Sequence, residues 1–218
     1  MEHLSSLLRH HCATTAHPLP ADGPGIVWIW GRGHIYTRGQ DAHTTVLVAV
    51  CPTVAAPGMV PLVPGVQWRK FPHRIPGQLL AAMLAHARKA SASGATSPIV
   101  QPVEQQYHVT QEDGRLCVRV PPQEATAGSV RYQPPQGVPV LLDLHSHHAL
   151  PAFFSATDNR DDTGLGVSAV IGRIFDQPEI AVRLCCYGHT QRVPALTIFD
   201  HLGDCRDTYG DSHAHAHH

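Results

Sequence analysis

Asp143-Leu-His-Ser-His-His-Ala-Leu-Pro-Ala-Phe-Phe-Ser-Ala-Thr-Asp158 is the stretch on which the reading of this chain turns. It sets His145 and His147 two residues apart and follows them with Ser155 and Asp158. The run ahead of it, Pro139-Val-Leu-Leu-Asp-Leu-His145, is apolar and rich in branched residues, so it reads as a buried strand in which residues two apart share a face. His145 and His147 then point the same way. Residues 149–154 turn the chain back, which brings Ser155 and Asp158 to the start of the next helix, beneath the two imidazoles. Two neutral imidazoles and one carboxylate make a three-ligand set that leaves a fourth zinc position open to water, the property that separates a catalytic zinc from a structural one.

A plainer reading competes with this one. Ser155-x-x-Asp158 is also a capping box, with the serine capping a helix and the acid reaching back to it. A His-x-His pair alone can be satisfied by backbone carbonyls. The conjunction favours a metal, because buried polar side chains need partners and four of them converge just after one apolar strand.

His145-x-His147, seven residues, Ser155, two residues, Asp158 resembles the signature of the JAMM, or MPN-plus, metalloproteases of the Mov34/MPN/PAD-1 superfamily. The resemblance implies a mixed α+β fold, a cytidine-deaminase-like mixed β-sheet flanked by helices. It also implies an upstream glutamate, on a strand that follows the first helix, acting as general base. Upstream of His145 the candidates are Glu104, Glu112 and Glu124. Glu112-Asp-Gly114 reads as a hairpin turn, and Glu124 lies in a loop-like Pro/Thr/Gly stretch. Glu104 instead falls in Val103-Glu-Gln-Gln-Tyr-His-Val109, read as a strand with Val103, Tyr107 and Val109 on one face and Glu104, Gln106 and His108 on the other. Glu104 is the expected base.

The chemistry expected of such a constellation is hydrolysis. Zn2+ held by His145, His147 and Asp158 lowers the pKa of a water toward ~7, Glu104 takes its proton, and the Ser155 hydroxyl hydrogen-bonds the oxyanion of the substrate carbonyl. Asp143 shares the histidines' strand face and is a candidate for orienting one imidazole from behind, with a salt-bridged framework aspartate as the equal alternative. The family usually follows its second histidine with proline. Here that position is His148, so the loop toward Ser155 is expected to be shaped differently, with a third imidazole near the metal.

Outward from the motif, the order of elements is that of an α/β (α+β) domain. Gln78-Leu-Leu-Ala-Ala-Met-Leu-Ala-His-Ala-Arg-Lys-Ala90 is the clearest helix. Strands are expected over 103–110, 115–120, 129–132 and 138–144, and after the Asp158 helix over 167–175, 179–187 and 192–199. The metalloprotease-like domain is placed at 72–201, behind a small β-rich extension and proline-rich linker at 1–71 and ahead of a His-rich, disordered tail at 202–218. The extension carries strand candidates at 25–30, 34–36 and 44–50, and Ile26-Val-Trp-Ile-Trp30 reads as core strand and not as a stacking platform for bases.

Composition bounds the partners. The net charge of -1 supplies no basic field for nucleic acid. No apolar run approaches the ~20 residues of a membrane helix, and residues 1–11 lack a signal-peptide core, so the expected compartment is the cytoplasm. The six cysteines form no Cys-x-x-Cys pair and read as reduced thiols. Eighteen histidines are many for 218 residues, but His213-Ala-His-Ala-His-His218 is a tail that can gather stray divalent ions.

The resemblance also implies substrates and partners: peptide or isopeptide bonds after the C-terminal tail of a ubiquitin-like protein, with a ThiF-type activating enzyme alongside. Pro102-Val-Glu-Gln-Gln-Tyr107 and Ala152-Phe-Phe-Ser-Ala-Thr-Asp158 further resemble the Mov34/MPN/PAD-1 member of a bacterial plasmid-type ParB-related, ThiF-related cassette. Three rivals stand beside this reading. Asp143-Leu-His-Ser-His147 resembles the opening motif of PHP-type phosphoesterases, but residues 146–218 are too few for their barrel. A silent MPN-type scaffold would be expected to lack ligands that are present here. A hydrolase of a small amide adduct would need no protein partner.

Overall fold

The computed structural model describes residues 9–71, 74–93, 100–133, 135 and 137–213. By its internal contacts the chain divides into one unit of residues 1–72, 159–166 and 183–193 and another of residues 73–158, 167–182 and 194–218. The stretches 159–166 and 183–193, which the sequence places inside the metalloprotease-like domain, thus group with the front segment.

In the first unit, β1 (Arg9–Cys12), β2 (Gly25–Gly31), β3 (His34–Gln40), β4 (Thr44–Pro52) and β5 (Gly65–Trp68) form one five-stranded sheet in chain order. Alternation explains β2 and β4, whereas β3 between them is buried from Tyr36 to Gln40. Val27 and Ile29 on β2 are buried with Tyr36 of β3 and Ala13, while Leu47, Ala49, Val60 and Leu62 close over them. The aromatic strand is therefore core. The proline-rich run is more than a linker: Val60 N–H donates to Ala13 O at 3.0 Å and Tyr36 Oη to Leu62 O at 3.0 Å, tying the run down onto this sheet.

The remaining elements are α1 (Gly77–Ala87), β6 (Ser91–Ser93), β7 (Val100–Pro102), β8 (Gln106–Glu112), β9 (Arg115–Arg119), β10 (Gln123–Ala125), β11 (Val130–Tyr132), β12 (Val140–Ser146), α2 (Ala156–Asp161), β13 (Leu165–Gly172), β14 (Glu179–Cys186), β15 (His189–Arg192) and β16 (Arg206–Asp207). The main sheet runs β15-β14-β13-β12-β8-β9, with β16 pairing β14. It is mixed: β12 lies parallel to β13 and antiparallel to β8. Every residue of β14 is buried, which is why its sequence shows no alternation. α1 buries Leu80, Met83, Leu84 and Ala87, the i, i+3, i+4, i+7 face of a helix. Each of the leucine and methionine side chains removed from water contributes roughly 1.5–3 kcal/mol.

Several local expectations change. β8 begins at Gln106, so Glu104 stands just ahead of the strand and not within it. Glu112-Asp-Gly-Arg115 is the hairpin turn between β8 and β9, with Asp113 at φ 48° and Gly114 at φ 75°, the two left-handed residues of a tight hairpin. Glu124 lies on β10, a short strand paired with β11, and is exposed. The strand expected over 192–199 is not formed: β15 stops at Arg192, and Pro194, which has no N–H for a ladder, leads into a 3-10 turn at Ala195–Thr197.

The tail is also corrected in part. Arg206 and Asp207 pair in register with Glu179 and Ile180, Thr208 Oγ1 donates to Ile180 O at 3.1 Å, and Cys205 and Thr208 are buried. Two apolar or ladder-bonded residues among polar ones are enough to order residues 202–213. Residues 214–218 of the expected tail lie outside the described residues.

Gly77 marks a close approach at the start of α1. Its N–H donates to Asp200 Oδ1 at 2.7 Å, and a Cβ there would meet His201 O at 2.2 Å. Overpacking against backbone costs about 1–3 kcal/mol, more than the ~1 kcal/mol that alanine gains over glycine in a helix. Gly77→Ala should therefore lower the urea midpoint; an equal or higher midpoint would show that this contact yields freely.

Candidate metal centre

The site is assembled where β12 ends. Ser146, fully buried, closes the strand: its N–H donates to Gln105 O and its Oγ accepts from Gln105 N–H, both at 3.0 Å. This clamp holds the 103–105 connection against the histidine strand. Glu104 N–H is fixed in turn by Thr126 O at 2.9 Å. Ser146 is a structural member of the site that the sequence reading passed over. The signal was a small hydroxyl between two ligand candidates, which has no local partner and so must find a distant one.

His145 on β12 and His147 just beyond it bring their Nε2 atoms to 3.1 Å of one another, and Asp158 Oδ1 lies 3.6 Å from His145 Nε2. One ligand atom from each of the three residues falls within 4.8 Å of the others, and this is the sole such group among the described residues. Three donors about 2.0–2.1 Å from a tetrahedral zinc lie ~3.3 Å apart, so the observed separations fit that ion.

The tautomer of His147 is set from outside. Its Nδ1 faces Pro151 O at 3.2 Å, and since a carbonyl only accepts, Nδ1 carries the proton and Nε2 presents a lone pair. Burial, reinforced by the neighbouring His145, pushes the His147 pKa down to about 4. The ring is therefore neutral at pH 7, as a metal ligand must be. Phe153 packs edge-on against it at 4.7 Å between ring centres.

Asp158 divides its two oxygens. Oδ2 accepts from Ser155 N–H at 2.5 Å while Ser155 Oγ accepts from Asp158 N–H at 3.2 Å, a complete capping box at the start of α2. Oδ1 remains to face His145. Asp158 can thus cap the helix with one oxygen and offer the other to an ion, so the two readings of this motif are compatible. Ser155 Oγ, having accepted, still has its own proton to donate.

Glu104 is buried, and its pKa is raised to about 7, first by burial and then by the charge of Asp158. It stands in the protonation range where a general base works best at neutral pH. Glu112 pairs instead with Arg119, and Glu124 is solvated.

Two secondary candidates fall out differently. Asp143 takes hydrogen bonds from Gln106 Nε2 and, at 2.9 Å, from Tyr132 Oη, and lies 3.3 Å from His108 Nε2. The imidazole beside it is His108, across the β8–β12 pair, and the in-register pairing of Asp143 with His108 explains why. His148 is buried, its pKa is lowered by that burial, and it lies outside the three-residue group. Its φ is 31°, a left-handed value that a proline ring forbids, so the loop here differs in shape from one carrying proline.

A family model described as prokaryotic homologs of the JAB domain matches residues 76–185, just over half of the chain and all of the site residues. None of the curated proteins matches this chain. Among the described residues no helix is long and apolar enough to cross a membrane.

The raised pKa of Glu104 has a thermodynamic sign. A carboxyl held near 7 when folded and 4.5 when unfolded favours the folded state in its protonated form, so its contribution is full at low pH and is lost as pH rises from about 4.5 to about 7. The loss is on the order of 3 kcal/mol at most. In metal-free protein, Glu104→Gln should gain stability relative to the parent over that interval, read as a urea midpoint difference that widens from acid to neutral pH. A constant difference would mean that Glu104 titrates as an ordinary surface carboxylate.

Proposed function

Since the chain belongs to the prokaryotic JAB-domain family, we propose that it is a zinc-dependent peptide or isopeptide hydrolase of JAMM type. Its substrate would be the C-terminal tail of a ubiquitin-like protein or of its conjugates. The observation that carries this reading is the convergence of His145, His147 and Asp158 beside a buried glutamate with a pKa near neutrality.

In this reading His145 Nε2, His147 Nε2 and Asp158 Oδ1 hold Zn2+, which when bound supplies Lewis acidity to a water and to the substrate carbonyl. Glu104 would accept the water's proton and return it to the leaving amine, the two halves of general acid–base work. The Ser155 hydroxyl donates to the oxygen on which negative charge develops, while its lone pair stays on Asp158 N–H. No residue of the chain forms a covalent intermediate.

The partners proposed are those of the resemblance: a ubiquitin-like protein and a ThiF-type activating enzyme, with the chain as protein A of a ParB-related, ThiF-related cassette in the cytoplasm. The alternatives are a silent MPN-type scaffold and a hydrolase of small amide adducts.

The test is cleavage of a ubiquitin-like protein bearing a C-terminal peptide extension, read by mass, with a small aminoacyl amide assayed alongside. The parent should release the tail at the junction. Glu104→Gln should lose ~10²–10⁴-fold with its zinc retained, and Ser155→Ala ~10²-fold or more. Zinc-loaded parent that binds the fusion and leaves it intact would make the chain a scaffold. Cleavage of the amide alone would remove the protein substrate.

A further inference from the structure

The Pro151–Ala152 peptide, midway between the second histidine and Ser155, is held on three sides. Its carbonyl accepts from His147 Nδ1 at 3.2 Å. Its N–H donates to Glu179 Oε2 at 3.1 Å. Below it lies Gly172, where an added Cβ would stand 2.3 Å from Ala152 N and 2.4 Å from the Pro151 carbonyl carbon. Such contact with backbone atoms leaves no room for any side chain at residue 172.

Glu179 is buried at the start of β14 and is itself fixed. Its Oε1 takes Arg206 NH2 at 2.6 Å and Arg173 Nε at 3.1 Å, and Arg206 NH1 is braced by Asp211 at 2.6 Å. The two carboxylate oxygens thus face donors on opposite sides, the arginines on one and the Ala152 N–H on the other. An amide has one acceptor and would turn an N–H toward an N–H at one of these ends. The charge has a second effect: a carboxylate on the N–H side of a peptide polarises it and makes its carbonyl a better acceptor.

We infer that Glu179 is a positioning residue for the metal ligand His147, acting through the Pro151–Ala152 peptide, with Arg173 and Arg206 holding Glu179 in place and Gly172 admitting the peptide. The inference rests on the metal reading above. It assigns work to residues far from the motif in sequence: β14 and the 206–211 segment set which nitrogen of His147 is bare. Glu179 touches no reacting atom. Removing it frees the peptide to rotate, and His147 then samples the tautomer that puts its proton on Nε2.

The experiment uses the full chain with His213, His215, His217 and His218 changed to alanine, so that the terminal imidazoles do not compete for ion. Zinc affinity is measured by competition with a chromophoric chelator, and the tautomers of His145 and His147 are read from long-range proton–nitrogen spectra of metal-free protein. Glu179→Gln should weaken zinc ~10-fold, the low end for a residue behind a ligand. It should shift His147 away from the Nδ1–H form. Arg206→Gln, at a half-exposed side chain, is the second variant should the first not fold, and should move both readouts the same way by less. Unchanged zinc affinity, or weakening with an unchanged His147 tautomer, overturns the inference. A parent that binds no zinc would instead overturn the metal reading, and the tautomer spectra would still decide the role of Glu179.

Discussion

The reciprocal cap between Ser155 and Asp158 is the constraint on which the site depends. A free aspartate at the start of a two-turn helix would sample several rotamers, and ligation would have to freeze them. Here one oxygen is already committed to Ser155 N–H, which leaves the other fixed toward His145. A cap of this kind stabilises a helix end by ~1 kcal/mol, and the same hydrogen bonds preorganise a ligand. On the histidine side, the Pro151 carbonyl fixes the proton of His147 and the Ser146–Gln105 clamp fixes the end of β12. His147 and Asp158 are thus each aimed by a hydrogen bond that needs no ion.

The electrostatics of the site follow from the same burial. Glu104 is pushed up and His147 down, both chiefly by desolvation, so burial limits the charge of the metal-free site: one imidazole is uncharged and one carboxyl half-protonated at physiological pH, beside the charge of Asp158. The two groups pull stability in opposite directions across mildly acidic pH, because protons favour the folded form at Glu104 and the unfolded form at His147. Two Nε2 atoms 3.1 Å apart with a carboxylate oxygen 3.6 Å away place three donor atoms around one point, which is the physical reason to read the pocket as a metal centre.

What the sequence made legible was local. The motif lies within sixteen residues, and its spacing carries strand end, loop and helix start, so the ligands, the cap and Ser155 could be read directly. Glu104 was found by elimination, but its setting was misjudged: the alternation of Val103–Val109 suggests a longer strand, whereas tertiary hydrogen bonds from Thr126 and Ser146 hold 103–105 as an irregular connection. The pairing of Asp143 with His108 was not legible, because it is set by the β8–β12 register, which no local pattern encodes. β1 and β5 were missed since a four-residue strand such as Arg9–Cys12, all of it polar or exposed, forms only by pairing with a neighbour. Pro194 did announce the end of β15, and the apolar run around it obscured the signal. The 206–211 segment looked like tail because its ordering rests on pairing with β14 and on Glu179.

The measurement that bears most directly on the account is metal stoichiometry by elemental analysis on protein lacking the four terminal imidazoles, comparing the parent with His145→Ala plus His147→Ala. The account predicts about one zinc per chain in the parent, lost in the double variant while the fold is kept, as three-ligand ligation requires. A parent that stays free of metal after zinc is supplied would contradict it, and would leave a capped helix beside two structural histidines.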